Sequence, residues 1–162
     1  MSRLDSFIRR LEAQRSLLDW AVAAIAGKPG LVLEVGLGNG RTYDHLREKL
    51  PGRDIYAFDR ANNANPASMP PPERLLLGEF ADALPAFARQ HPGEAVLIHA
   101  DAGLGDPAAN VIQVRQVAAM IPPLAASGAI ILSDQRFEHP DLLLQDAPVT
   151  IPKNRYYVFI RK

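Results

Sequence analysis

The sequence predicts an α/β fold: a doubly wound, mostly parallel sheet with helices on both faces. Three observations predict it. From residue 31 onward, short β-rich apolar runs alternate with segments of helical period, the pattern left by crossover units. A cluster of glycines stands where the first of those runs gives way to a helix, the place where such sheets bind ligands. The last two predicted strands are joined only by residues 152–155, too few for a helical crossover, so one of them is antiparallel.

The elements follow in order. Leu4, Phe7, Ile8 and Leu11 lie on one helical face, and Leu18, Ala21, Val22 and Ile25 resume it. Gln14 and Arg15 interrupt the stripe, so the segment is one helix with a polar hole or two short ones, with Ser16 and Asp19 able to cap the second. Solvent exposure is the simplest reading of the hole; a pocket facing Gln14 is the other. Lys28-Pro29-Gly30 ends the helix. Leu31–Val35 is a strand buried on both faces, 42–50 a helix stopped by Pro51-Gly52, and 55–58 a strand that ends on Asp59. Residues 61–72, rich in Asn and Pro, form a surface loop or at most a turn of helix. Then come strand 74–77, helix 80–89, strand 95–100, helix 109–121 and strand 129–133. The tail holds a short helix near 141–144, a weak strand near Val149 and a clear strand at 156–160. The whole is one domain, 1–162, with residues 1–28 as an N-terminal helical cap.

Composition excludes several classes. Lys plus Arg and Asp plus Glu number 18 each, so no chain-wide basic field exists to grip a nucleic-acid backbone. There is no cysteine, which removes disulfides, thiolate metal sites and cysteine nucleophiles and fits a reducing cytosol. The first ten residues carry Arg3, Asp5, Arg9 and Arg10 and no apolar signal core, so a cytoplasmic protein without membrane or nucleic-acid partners is expected.

Chemistry concentrates at Glu34-Val35-Gly36-Leu37-Gly38-Asn39-Gly40. Glycines here permit positive φ and let a ligand lie against bare backbone. A dinucleotide fingerprint would need its third glycine at position 41, which is Arg41. Glu34, at the mouth of the site, would repel a pyrophosphate and attract a cation. That argues against a nicotinamide oxidoreductase. Asp59, ending the second strand, suits both hydroxyls of a ribose.

The Glu-x-Gly-x-Gly-x-Gly run, with Asp59 in Phe58-Asp59-Arg60, resembles the class I S-adenosylmethionine-dependent methyltransferases. The resemblance covers the chain from Leu31 to its end. It implies a Rossmann-like, seven-stranded sheet with an antiparallel last strand, and S-adenosyl-L-methionine as cofactor. It also implies cofactor-binding roles for Glu34, Gly36, Gly38, Asn39, Gly40, Asp59 and Arg60. Gly78 and Glu79 would lie beside the adenine, with Glu79 or the Phe80 backbone meeting its amine. Thr42 would hold the methionine carboxylate at a helix start.

This chain departs from the pattern in two places. Residues 65–72 replace much of the usual second helix. His99-Ala100-Asp101-Ala102-Gly103 stands where nucleobase-modifying members carry Asn- or Asp-Pro-Pro-Tyr, which counts against a nucleobase acceptor.

Methyl transfer is an in-line displacement in which placing the acceptor dominates, and a base is needed only if the acceptor sheds a proton. Asp101 and Asp134 end the fourth and fifth strands and point into one crevice; His139, in the following loop, is of a residue type that can serve as a base. These three are the candidate catalytic residues. Asp134-Gln135, with Asp101, also resembles the acidic set of the divalent-cation O-methyltransferases, so a Mg²⁺-dependent variant is an alternative. A cofactor-binding protein without turnover is another, since no large substrate-recognition insertion appears. The expected partner is a small-molecule methyl acceptor. Two chains could also pair through the tail strand 156–160.

Overall fold

The computed structural model describes residues 2–103 and 106–162. The elements run α1 (Arg3–Ala24), β1 (Leu31–Val35), α2 (Arg41–Lys49), β2 (Ile55–Asp59), β3 (Leu75–Leu77), α3 (Phe80–Gln90), β4 (Ala95–Ala100), α4 (Pro107–Leu124), β5 (Ala125–Ser133), β6 (Leu142–Gln145) and β7 (Tyr157–Arg161). They build one seven-stranded sheet in the order β3-β2-β1-β4-β5-β7-β6. β7 runs antiparallel to both β5 and β6, and the first five strands are parallel.

The central strands explain the unbroken apolar runs. Every residue of β1 and β4 is buried, because both faces of the sheet are covered. One face carries Leu33, Val35, Phe58, Ile98 and Ile131 against Leu84 and Phe87 of α3 and Val117 and Ile121 of α4. The other carries Val32, Ala57, Leu97 and Leu132 against Leu17, Leu18, Ala21 and Ile25 of the first helical segment and Leu46 of α2. The sheet's alternation thus feeds two separate cores.

The N-terminal segment is a single helix. Its cap is Ser2, whose hydroxyl accepts from the Asp5 amide while Asp5 reaches back to the Ser2 amide. Residues 61–72 are an irregular crossing with a short 3₁₀ turn at Pro66–Ser68, and a second turn follows at Pro72–Arg74.

The tail departs from the sequence reading. Residues 142–145 form strand β6, although Leu142-Leu143-Leu144 is a helix-favouring run; antiparallel pairing with β7, Leu142 opposite Arg161, overrides local propensity. Val149 lies in the connection between β6 and β7 and belongs to no strand. β7 is covered on both edges, by β5 and β6, so it cannot offer an open edge to a second chain; the free edge on that side is β6.

Candidate active site

The carboxyl ends of β1 and β4 are pinned together at the glycine bend. The Asp101 amide donates to the Val35 carbonyl at 3.0 Å. Gly36 has φ +92°, and a Cβ there would meet the Asp101 carbonyl oxygen at 2.2 Å. At Gly38 the space is open: none of the described residues lies within 4 Å of where a Cβ would stand. Its amide donates to Asp59 Oδ2 at 2.8 Å, which ties the bend to the end of β2. Gly40 starts α2 in the left-handed region, φ +85°, under the Ser68 backbone, and no side chain caps that helix. Asn39 holds the neighbouring loop by accepting from the Asn65 amide at 3.1 Å. Over this bend lies α1. Phe7 and Arg10, with Gly36, Asn39, Arg41 and Asp101, bound a cavity of about 160 Å³.

Beneath the bend runs a chain of side-chain hydrogen bonds. Arg10 Nη2 donates to Asp101 Oδ2 at 2.6 Å, and Gln14 Nε2 donates to the same oxygen at 3.2 Å. Gln14 Nε2 also donates to the Tyr156 hydroxyl at 2.8 Å. That hydroxyl lies 2.6 Å from His99 Nε2, and His99 Nδ1 lies 2.9 Å from Glu34 Oε2. The Thr42 hydroxyl donates to the remaining Glu34 oxygen. Burial opposes charge on His99, but the Glu34 carboxylate beside it outweighs that and raises its pKa. Burial, then the nearby Asp101 and Asp134 charges, push Tyr156 well above its ordinary value, so it stays a phenol.

This arrangement corrects one expectation. Glu34 is fully buried below the bend and not at its mouth, and both of its oxygens are engaged within the protein. The reason is register: Glu34 sits opposite His99 on the adjoining strand. Thr42 lines the cavity over the bend, and its hydroxyl donates to Glu34. The polar hole at Gln14 is buried, whereas Arg15 is exposed. Arg10, Tyr156 and His99 were missed as members of one network. The signal for Arg10 was available: it lies one turn before Gln14 on the stripe that continues into Leu17, Leu18 and Ala21.

On the β2 side, Asp59 Oδ1 accepts from the Arg60 amide at 2.7 Å. Arg60 spans the crevice, donating to Gln113 Oε1 of α4 at 2.7 Å and lying 3.5 Å from Glu79 Oε2. Gly78, φ +147°, donates to the Asp59 carbonyl. Glu79 is the N-cap position of α3, and the Phe80 side chain turns into the core.

Asp101 and Asp134 do meet. Burial, then the Asp101 charge, raise Asp134 to about 6, and the two carboxyls lie within hydrogen-bonding reach when one holds a proton. Asp134 Oδ2 accepts from Gln135 Nε2 at 2.8 Å, while Oδ1 is buried without a hydrogen-bond donor among the described residues. These donors do not suit a divalent cation. Arg10 already covers Asp101, and Gln135 turns its amide nitrogen toward Asp134 and its oxygen to Asn110. Among the described residues, no group of three or more His, Asp or Glu side chains is placed to hold a metal ion. His139 is not brought into this cluster. Its Nδ1 accepts from the Asp141 amide at 3.2 Å, which caps the turn into β6.

Comparison with known proteins agrees with this architecture. The profile of a family described as S-adenosyl-L-methionine methyltransferase matches residues 1–162. A crystal structure of an S-adenosyl-L-methionine methyl transferase from Silicibacter pomeroyi DSS-3 is 39% identical, with a TM-score of 0.93 over 100% of this chain and 99% of that one. TrmN from Thermus thermophilus shares the fold at 20% identity, TM-score 0.65, over 92% of this chain and 48% of that one. The O-methyltransferase TomG from Streptomyces achromogenes, involved in tomaymycin synthesis and solved in complex with S-adenosylmethionine, shares it at 17% identity, TM-score 0.57, over 79% and 60%. No curated protein matches the chain. No helix among the described residues is long and apolar enough to cross a membrane. With its whole length covered by one family and its sheet in that family's form, the chain belongs to the S-adenosyl-L-methionine methyltransferases, enzymes of the class I Rossmann-like fold that use S-adenosylmethionine as cofactor.

Proposed function

We propose that this enzyme transfers its methyl group in line to a small-molecule acceptor at the crevice between β4 and β5, with the cofactor lying across the glycine bend. The observation that carries the reading is the cavity roofed by α1, where bare backbone at Gly38 meets the uncapped start of α2, Arg10 and Asp101. Those groups suit an amino-acid nucleoside sulfonium. Arg10 and the unpaired amides opening α2 answer its carboxylate, Asp101 its ammonium, and Asp59 its ribose hydroxyls. Gly36, Asn39 and Gly40 shape the bend; Arg60, Gly78, Glu79 and the Phe80 amide border the adenine. Glu34 and Thr42 act from below by fixing His99 and the start of α2.

When bound, the cofactor supplies an electrophilic methyl carbon on a sulfonium that leaves without assistance. The protein's own work is placement and, for a protic acceptor, proton removal. Asp134 is the base this reading assigns, because it ends β5 beside Asp101 and its Oδ1 has no hydrogen-bond donor among the described residues.

Isothermal titration with S-adenosylmethionine and its demethylated product tests the placement. Both should bind the wild-type chain, and Asp59→Ala should weaken them by about tenfold, or ~1.4 kcal/mol. Absence of heat well above micromolar concentration would end the reading, and unchanged affinity in the variant would remove the ribose role.

A further inference from the structure

Alternation along β4 sends Leu97 and His99 to the face that α1 covers, and Asp101, the next residue of that set, emerges beneath Gln14. Tyr156 reaches the same place from the tail, one residue before β7. The amide nitrogen of Gln14 carries two hydrogens, and two oxygens stand ready for them: the Tyr156 hydroxyl at 2.8 Å and Asp101 Oδ2 at 3.2 Å. An ionised carboxylate only accepts, so the Gln14 amide cannot turn its oxygen toward Asp101. Tyr156 is held from behind in turn. Its hydroxyl lies 2.6 Å from His99 Nε2 with the two rings at 1° to one another, and His99 is anchored on Glu34.

The second donor to Asp101 Oδ2 is less firmly placed. Arg10 is 40% exposed and stands on the half of α1 whose apolar residues face solvent. Gln14 stands one turn further on, 5% exposed, where Leu17, Leu18 and Ala21 lock the helix into the core. The rigid hold on Asp101 is therefore the one that passes through Gln14 to Tyr156. Tyr156 itself is buried and does not line the cavity over the bend.

We propose that Tyr156 is a positioning residue for the cofactor: acting through Gln14, it holds the Asp101 carboxylate where the cofactor's ammonium meets it. This rests on the cofactor placement proposed above. Without the hydroxyl, the Gln14 amide serves His99 Nε2, 3.3 Å away, in its stead and is drawn off Asp101.

The test uses the full chain and two ligands, S-adenosylhomocysteine and its deaminated analogue, in which hydrogen replaces the α-ammonium. They share the nucleoside, the thioether and the carboxylate and differ only in the group that Asp101 meets. Affinities are read by calorimetry, with displacement of S-adenosylhomocysteine reporting the analogue where its own heat is small. Wild type should prefer S-adenosylhomocysteine by about tenfold. Tyr156→Phe should cut that preference to within about twofold, weakening S-adenosylhomocysteine and leaving the analogue unchanged. Gln14→Met, which keeps the side-chain length and removes the donor, should do the same. The double variant should be no worse than either single one, since both act through one link. A role in packing alone would weaken both ligands together. A preference that survives both substitutions, or an equal loss for both ligands, overturns the proposal. Equal binding of the two ligands by wild type overturns it together with the ammonium contact of Asp101, and failure of S-adenosylhomocysteine to bind at all removes the cofactor placement as well.

Discussion

Glu34 and His99 occupy paired positions on adjacent parallel strands, and Oε2 of one lies 2.9 Å from Nδ1 of the other with neither side chain touching solvent. A carboxylate at such a place is tolerable only because each of its oxygens has a donor. The pair also fixes the ends of the two strands between which the glycine bend and Asp101 are hung.

Truncating one partner should therefore be severe. His99→Ala leaves Glu34 buried and half-paired, at an expected cost of about 3–5 kcal/mol. The double variant Glu34→Gln/His99→Asn, which removes the charge with its partner, should recover part of that loss. Urea titrations of the three proteins check it; additive losses would show that the two residues act independently.

Asp134 gives stability a pH dependence with a definite sign. Its carboxyl is raised from 3.8 to about 6 by burial first and by Asp101 second. Arg10 and the Gln135 amide pull the other way, and His99 and Tyr156 feel its charge from β4 and the tail. Between about pH 4 and pH 6 the folded chain holds a proton the unfolded chain has released, so stability falls as pH rises through that window. Asp134→Asn should gain on the order of 2 kcal/mol over wild type at pH 7.5 and little at pH 4. Denaturant unfolding at both pH values reads the difference, and a gain independent of pH would contradict it. In wild type, kcat/KM should rise with pH through about 6 if Asp134 is the base.

The glycines of the bend should differ. Gly36→Ala sets a methyl 2.2 Å from the Asp101 carbonyl oxygen, a backbone atom with little room to give, and should cost several-fold more stability than Gly38→Ala. Gly38→Ala meets open space and carries only the strain of its left-handed conformation, roughly 1–2 kcal/mol. The second variant should fold and yet lose cofactor affinity, because its methyl stands where the ligand is proposed to lie. Melting curves and calorimetry on the pair separate the two effects.

Arg10→Ala should do the reverse of His99→Ala. Its ion pair with Asp101 is 40% exposed on the arginine side, so its loss should move the melting temperature by no more than a few degrees. Affinity for S-adenosylmethionine should fall by about tenfold, since the guanidinium faces the cavity. A large melting shift with unchanged affinity would make Arg10 a structural residue only.

What the sequence revealed, and what it hid, follows from the range of each effect. Gly36, Gly38 and Gly40 were legible because positive φ is a local demand, and all three have it. The position of Asp59 was legible because it closes the apolar run of β2, and the Gly38 amide ties it to the bend. The orientation of Glu34 was not, because it depends on which residue of β4 stands opposite, a register that no local pattern encodes. Likewise β6 was hidden: Leu142-Leu143-Leu144 prefers helix until β7 supplies a ladder partner. The hole in the α1 stripe was visible, but a polar residue at Gln14 could not be told from a surface one until Tyr156, 142 positions later, arrived beneath it.

α1 is divided along its length. Its second half locks Leu17, Leu18 and Ala21 into the core, while its first half leaves Leu4, Phe7 and Ile8 between 43% and 66% exposed and touches the rest of the protein mainly through Arg10 and the Ser6 contact to Arg155. Fraying of the opening turns would sacrifice little buried area, yet it would lift the roof from the cavity over the glycine bend and expose its floor to solvent. Admission of a ligand then requires no hinge and no domain movement. For a ligand bound in that cavity, the helix end would then be the doorway, anchored downstream like a reed in its bed.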